Sequence, residues 1–445
     1  MIFFNDVNIF CAKYENYNKS KMQMNSLYCE IWKYILNSLN KKIVKTCKSL
    51  LPKLNSFQKY CKTISKNKKV IIVTDQNIKN DMRSEYFIKE YKLLGYGVDV
   101  LNINNYRKIE KSKKNRLILL NLLIMIYRGI KRIRYANFIH IYKKNYKREH
   151  VIFRGSKIAI KKYLKLIKLA QMYYEIINKY DIIHANDLEA ATLATLVINK
   201  DSNLLYDSHE LQLYRNRKNG ILRCLLDGII ESACVNCAQT IYLVSHPIKI
   251  VYEKLYGAQN YKVVKNNFYF DKKHTFLSIL VERFEKVNIV YIGSANHNRG
   301  IEFLIDIANT RKNINIYLFL NNKKSINKFV DERKTNQSNI YICDIINNIE
   351  YIVPSCYPTV GWCYFSKNFL SYRYALPNKF FNYISYNLPI ITNKGTYIST
   401  VSQINGIGWY IEKLEQQYFD NLLYYILSYY DKKQKSVILY KKKWV

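Results

Sequence analysis

Five short stretches of this 445-residue chain carry side chains able to do chemistry. Asp81-Met-Arg83 sets a carboxylate and a guanidinium two residues apart, with Glu85 just beyond. His184-Ala-Asn-Asp187-Leu-Glu189 and Asp207-Ser-His209-Glu210 each place an imidazole beside carboxylates, a combination suited to proton transfer or to orienting a hydroxyl. Gly293-Ser294 leads through Asn298 to Arg299-Gly300, and Pro377-Asn378-Lys379 is followed by Asn382. In these last two stretches a cation stands beside glycine or proline at the opening of a helix, where backbone amides also face anions. Cations so placed suit a phosphate group whose negative charge grows as a bond to it breaks.

The motifs that are missing narrow the chemistry. No G-x-G-x-x-G follows a strand, and no G-x-x-x-x-G-K-[ST], H-E-x-x-H or G-x-S-x-G occurs. No two aspartates stand two residues apart, so a divalent metal held by an Asp-x-Asp pair is not expected. Cys234 and Cys237 form one C-x-x-C without a second pair at zinc spacing, and the ten cysteines read as buried or inert thiols. No metal site and no cofactor is expected.

The elements that position these stretches alternate. Val70-Ile71-Ile72-Val73 is a β-branched run too short for a helix, as in a strand buried on both faces. A helix over 84–94 follows, stopped by Gly95, and then a strand over 98–103. The alternation resumes with strands at 181–184, 203–206 and 240–244 and a helix over 188–198. A charged stretch, 271–286, interrupts it. A second series then runs through strands at 288–292, 314–320, 340–342, 359–364 and 389–392, with helices over 301–311, 325–333 and 379–385. Two such series predict an α/β chain of two doubly wound, Rossmann-like parallel sheets facing a cleft. Ligands then bind beyond the carboxyl ends of the strands, where all five stretches lie. The expected domains are a helical extension, 1–67, a first Rossmann-like domain, 68–270, a second Rossmann-like domain, 287–412, and a helical tail, 413–445.

Composition sets outer bounds. With 49% hydrophobic and 15% aromatic residues the chain is not disordered, and 13 glycines with six prolines exclude collagen-like and Gly/Pro-rich classes. The balance of 71 basic against 33 acidic residues gives a formal net charge of +38. Enrichment in Lys, Asn, Ile and Tyr looks like a coding bias, so charge must be argued locally. Basic clusters at 107–116, 143–148 and 161–168 come without a nucleic-acid recognition motif, and no nucleic-acid partner is expected. The apolar run from Leu117 to Tyr127 is about half of what crosses a bilayer. Lys111, Lys113, Lys114, Arg116, Arg128, Lys131, Arg132 and Arg134 flank it. The segment reads either as an element docking on an anionic membrane surface or as an ordinary helix packing its apolar side on the sheet. Met1 to Phe10 has no signal-peptide pattern, and the expected location is cytoplasmic, at most peripheral on the membrane.

The five stretches, in this order, resemble a GT-B glycosyltransferase of the large retaining family four. Its members show D-x-R, a His/Asp loop, Y-D-S-H-E, G-x(5)-R-G and L-P-N-K-x-x-E-Y-x-x-x-G-x-P, and the resemblance covers about residues 69–412. It implies a metal-independent hexosyl transfer from a nucleoside diphosphate sugar to a glycan or lipid-linked acceptor, as in cell-surface polysaccharide synthesis. Arg299 and Lys379 would neutralise the diphosphate, with Gly293, Ser294, Asn298, Asn378 and Asn382 also on the donor side. His209 would line the cleft, and Asp81, Arg83, His184, Asp187 and Glu210 would lie toward the acceptor. Retention without an evident nucleophile implies that the departing phosphate itself deprotonates the acceptor. The chain departs from the family where Asn382 replaces the ribose-binding Glu, Asn387 a Gly, Tyr374 a second Glu, and Ser294 a phosphate-binding Arg. These departures leave two alternatives: a weakened partner subunit or scaffold, and a nucleotide-sugar epimerase on the same two-domain plan.

Overall fold

The computed structural model describes residues 68–76, 81–104, 115–134, 137, 156–199, 201–214, 220–266, 286–296, 298–320, 326, 339–344 and 352–443. The lead segment 1–67, most of the charged stretch 271–286 and the helix expected over 325–333, Ile326 excepted, lie outside them. The chain divides into two compact units, 1–264 and 265–445.

The first unit is built on a six-stranded parallel sheet. Its elements are β1 (Lys69–Thr74), α1 (Met82–Leu93), β2 (Gly97–Asn102), α2 (Asn115–Arg132), α3 (Ser156–Ile177), β3 (Ile182–Asn186) and α4 (Asp187–Val197). They continue with β4 (Asn203–Ser208), α5 (Ile221–Cys237), β5 (Thr240–Leu243), α6 (His246–Tyr256) and β6 (Tyr261–Val263). The strand order is β2-β1-β3-β4-β5-β6. Val70 to Val73 are almost wholly buried, as the continuous apolar run requires of a central parallel strand. Helix α2 holds the apolar run from Leu117 to Tyr127. Its inner residues Ile118, Leu122, Met125 and Ile126 recur every three or four positions and are buried. The helix packs mainly on α5 and α4 rather than on the sheet. The approach to α5 is close enough that a Cβ on Gly129 would strike the Ile229 carbonyl.

The second unit repeats the plan. Its elements are β7 (Val287–Gly293), α7 (Ile301–Thr310), β8 (Ile314–Leu320), β9 (Ile340–Asp344), β10 (Thr359–Trp362), α8 (Leu370–Tyr374) and α9 (Asn378–Ser385). They end with β11 (Ile390–Asn393), α10 (Tyr397–Ile404), β12 (Gly408–Ile411) and α11 (Gln416–Lys442). The order is β12-β11-β10-β7-β8-β9, again all parallel. Every residue of β8 is buried. One core joins Phe303 of α7, Trp362 and the inner face of α11, Phe419, Leu422 and Ile426. The other joins Phe365, Tyr372, Phe380, Tyr383 and Ile384. The helix expected as a tail from residue 413 thus contributes side chains to the core of this unit.

Candidate functional site

In the first unit the carboxyl ends of β3 and β4 meet the start of α1. Asp81 caps α1, accepting from the amides of Arg83 and Ser84 and from the Ser84 hydroxyl. Arg83 meanwhile reaches inward. Its Nε and Nη2 each donate to Asp207 at 2.6 Å, and its Nη1 donates to the Val264 carbonyl. Both partners of the ion pair are buried, at 4% and 0% exposure. His184 is also fully buried, its Nδ1 2.8 Å from the Tyr91 hydroxyl and its ring stacked on Tyr242. Burial lowers its pKa, so it is neutral.

His209 keeps more contact with solvent than its charged neighbours, with its side chain 14% exposed. Its Nε2 lies 3.4 Å from Asp207 and its Nδ1 4.0 Å from Asp187. Burial alone would lower its pKa, but Asp187 and then Asp207 outweigh that and push it up to about 9. Asp207 is itself buried, yet Arg83 and the imidazoles hold its carboxyl well below the usual range. Asp187 opens α4 with φ of +63° and accepts from the His209 amide and from Gln212. Glu210 is half-buried, and its carbonyl accepts from the Ser208 hydroxyl.

The second unit gathers cations at the carboxyl ends of β7 and β10. Gly293, at φ +137°, ends β7, and the turn runs through Ala295 and Asn298 to Gly300, the cap of α7 at φ +71°. There a side chain would also crowd Trp362 and Tyr364, so glycine is required twice over. The Trp362 indole donates to the Arg299 carbonyl and fixes the backbone. The Arg299 guanidinium lies 4.2 Å from the Phe365 ring centre and 4.6 Å from that of Tyr372. Lys379, in the first turn of α9, brings its Nζ to 4.1 Å from the Tyr291 ring and 4.7 Å from the same Phe365. Lys379 is only 8% exposed, and its Nζ has no hydrogen-bond partner among the described residues. Burial first, and then Arg299, lower its pKa well below the lysine range.

The remaining residues expected on the donor side are placed as follows. Ser294 is exposed, and its carbonyl accepts from the Tyr291 hydroxyl. Asn298 is exposed at φ +72°, its carbonyl accepting from the Ser366 amide. Asn378 is exposed and accepts from Asn266 at 2.6 Å. Asn382 lies one helical turn after Lys379 and is half-buried. Asn387 sits at φ +57°, a conformation asparagine tolerates. A cavity of about 320 Å³ opens beside Gly300, lined by Asn298, Phe303, Tyr364, Ser366 and the carboxylates Glu302 and Asp306. Those carboxylates suit hydroxyls and repel phosphate.

Sequence reasoning missed the aromatic floor, Tyr291, Phe365 and Tyr372, and it missed Asp207 as the partner of Arg83. These residues come from separate elements, and no spacing joins them to the cations. Among the described residues no group of three or more His, Cys, Asp or Glu gathers as metal ligands would.

No protein-family model and no curated protein sequence matches this chain. Solved structures do resemble it. A sucrose-phosphate synthase from Thermosynechococcus elongatus is 11% identical over 84% of this chain and 93% of its own, with a TM-score of 0.54. An α,α-trehalose 6-phosphate synthase from Burkholderia multivorans is 7% identical over 84% and 93%, with a TM-score of 0.52. The chain shares the GT-B fold with them.

Proposed function

We propose that the chain moves a sugar from a nucleoside diphosphate sugar, and that its second unit holds the diphosphate through Arg299 and Lys379. One observation carries this reading: two basic side chains share one aromatic floor, and the buried amine of Lys379 has no hydrogen-bond partner among the described residues. A buried amine without a partner costs several kcal/mol, so such an arrangement persists where a ligand offsets it. A diphosphate is the fitting ligand, because both cations can bind its oxygens and the charge they meet grows as the sugar leaves. The fold shared with enzymes named for making sucrose phosphate and trehalose 6-phosphate supports the same reading.

In finer terms, we read the reaction as a metal-independent, retaining hexosyl transfer to a glycan or lipid-linked acceptor in cell-surface polysaccharide synthesis. The departing phosphate takes the acceptor proton. The imidazolium of His209 gives the first unit a hydrogen-bond donor for a sugar or acceptor oxygen.

Titration calorimetry with nucleoside diphosphates tests the clamp. Arg299→Gln and Lys379→Met should each weaken binding by about tenfold to a hundredfold, the value of a charged hydrogen bond, and leave the bare nucleoside unaffected. Unchanged diphosphate binding in both variants would refute the clamp. Binding without turnover of any nucleotide sugar would make the chain a partner subunit or scaffold, and isomerised donor would make it an epimerase.

A further inference from the structure

We propose that the outward face of α11 docks on an anionic membrane surface. The helix has 27 residues and is about 40 Å long, with a kink at Tyr429. Its inner face, Phe419, Leu422, Ile426, Tyr430, Val437 and Tyr440, repeats every three to seven residues and is buried in the second unit. The helix is therefore held by the fold, and its outer face is presented without any ordering cost.

That outer face has two parts. Tyr424, Tyr425 and Tyr429 are 68%, 51% and 49% exposed, their rings in sequence 5.7 and 6.4 Å apart. Farther along, Lys432, Lys435, Lys442 and Lys443 are exposed around Leu439, which is 62% exposed. From 421 to 443 the sequence holds six lysines and one acid, Asp431. Tyrosine rings, apolar with one polar tip, settle at the headgroup level of a bilayer. Lysines beside them draw the surface toward anionic headgroups. A coding bias toward Lys and Tyr accounts for their number and not for their alignment on one face.

The basic segment of α2 makes the contrast. Arg128, Lys131, Arg132 and Arg134 are exposed, but the apolar side of that helix is buried against α5 and α4. It offers charge without an anchor, whereas α11 offers both. Docking of this kind lays the helix in the interface, and no described helix is long and apolar enough to cross a membrane.

Co-sedimentation of the full chain with vesicles tests the inference. Phosphatidylcholine vesicles containing roughly one-third phosphatidylserine should bind the protein, and pure phosphatidylcholine vesicles should not. Replacing Tyr424, Tyr425 and Tyr429 by Ser should weaken binding about tenfold or more. Changing Lys432, Lys435, Lys442 and Lys443 to Gln should do the same and remove most of the salt dependence. Changing Arg128, Lys131, Arg132 and Arg134 to Gln should have a smaller effect than either. All of these positions are exposed, so melting temperature and nucleoside diphosphate binding should stay at wild-type values and keep this test separate from that of the clamp. The inference is overturned if the α11 variants sediment like the wild type, or if anionic vesicles are ignored. A protein that binds a single-stranded oligonucleotide and not vesicles overturns it as well.

Discussion

Arg83 and Asp207 in the first unit meet through two 2.6 Å hydrogen bonds, and neither is more than 4% exposed. Lys379 in the second unit is nearly as buried, at 8%, but its amine faces rings and Arg299. The first cluster balances its own charge, with Asp187 and Asp207 set against Arg83 and His209. The second is a pair of basic groups on an aromatic floor. Burial of charge is costly in both, and only the first offsets that cost with opposite charge. A self-balanced cluster holds its loops in place whether or not a ligand is present. An unbalanced one keeps a cost that a bound anion would offset.

The largest effect should come from unbalancing the first cluster. Arg83→Leu leaves Asp207 buried without its main partner and should destabilise the protein by about 3–5 kcal/mol, measured by urea unfolding. Adding Asp207→Asn should recover part of that loss, because the stranded charge is gone. A loss under about 1 kcal/mol would mean that the pair is no more than a surface contact.

The pH response of the first unit comes next. His209 has its pKa raised to about 9, so the stability it contributes is complete below its unfolded value of 6.5 and is lost as the pH rises through about 9. With about 1.4 kcal/mol for each tenfold change in proton affinity, that is on the order of 3 kcal/mol. Glu231 acts in the same direction at lower pH. It is buried and accepts from the hydroxyls of Tyr206, Tyr252 and Tyr256. Burial nevertheless raises its pKa from 4.5 to about 7, so stability falls across that interval. Asp207, held low, has the opposite sign and loses its contribution in acid. The contributions of His209 and Glu231 should therefore decline from about pH 5 to about pH 9, while His184 and Lys379, whose pKa values are lowered, contribute with the opposite slope. His209→Gln should flatten the upper part of the decline and Glu231→Gln the lower. A His209→Gln curve parallel to the wild type above neutrality would show that the imidazole is not held charged.

Backbone and side chains differ in how far the sequence makes them legible. The strand β8, seven buried residues in a row, announces itself, because a sheet covered on both faces needs an apolar side chain at most positions. The strand β12 does not, because only its end residues Gly408 and Ile411 are buried and the pattern is four residues long. The motif residues stand out by type and spacing, but their partnerships do not. Arg83 and Asp207 are 124 positions apart, and Lys379 meets Tyr291 only because the fold brings β7 and α9 together. In α2 the apolar stripe is evident, yet its cover is α5 and α4, and nothing in an apolar period tells which surface will bury it.

Removing charge from the second cluster should have the opposite sign to removing it from the first. Lys379→Met replaces a buried amine by an apolar chain of similar length and should raise stability by about 1 kcal/mol in the absence of ligand. The lowered pKa of Lys379 adds a linked effect. An arriving diphosphate favours the charged amine, so binding should take up protons at pH values where the free amine is partly neutral. Calorimetry in two buffers of different ionisation enthalpy reads this directly, and the uptake should vanish in Lys379→Met. Proton uptake that persists in this variant would assign it to another group.

The smallest effect tests whether the second cluster can be made to resemble the first. Asn382 stands three residues after Lys379 on α9, within reach of the same face of the helix. If it meets the ribose of the donor, Asn382→Glu supplies a charged acceptor to two hydroxyls, and charged hydrogen bonds are roughly twice as strong as neutral ones. Donor affinity should then rise by about 1 kcal/mol, and by less for a 2′-deoxy nucleotide, which lacks one of those hydroxyls. The new carboxylate has a second choice, which is to turn back and pair with Lys379. That pairing would neutralise the amine as Asp207 does Arg83, so the free protein would melt higher and bind nucleoside diphosphate more weakly. Calorimetry on the nucleotide, with melting of the free protein beside it, separates the two. Tighter binding with an unchanged melting point places Asn382 at the ribose. Weaker binding with a higher melting point places it at the clamp, and the donor reading of this residue is then wrong.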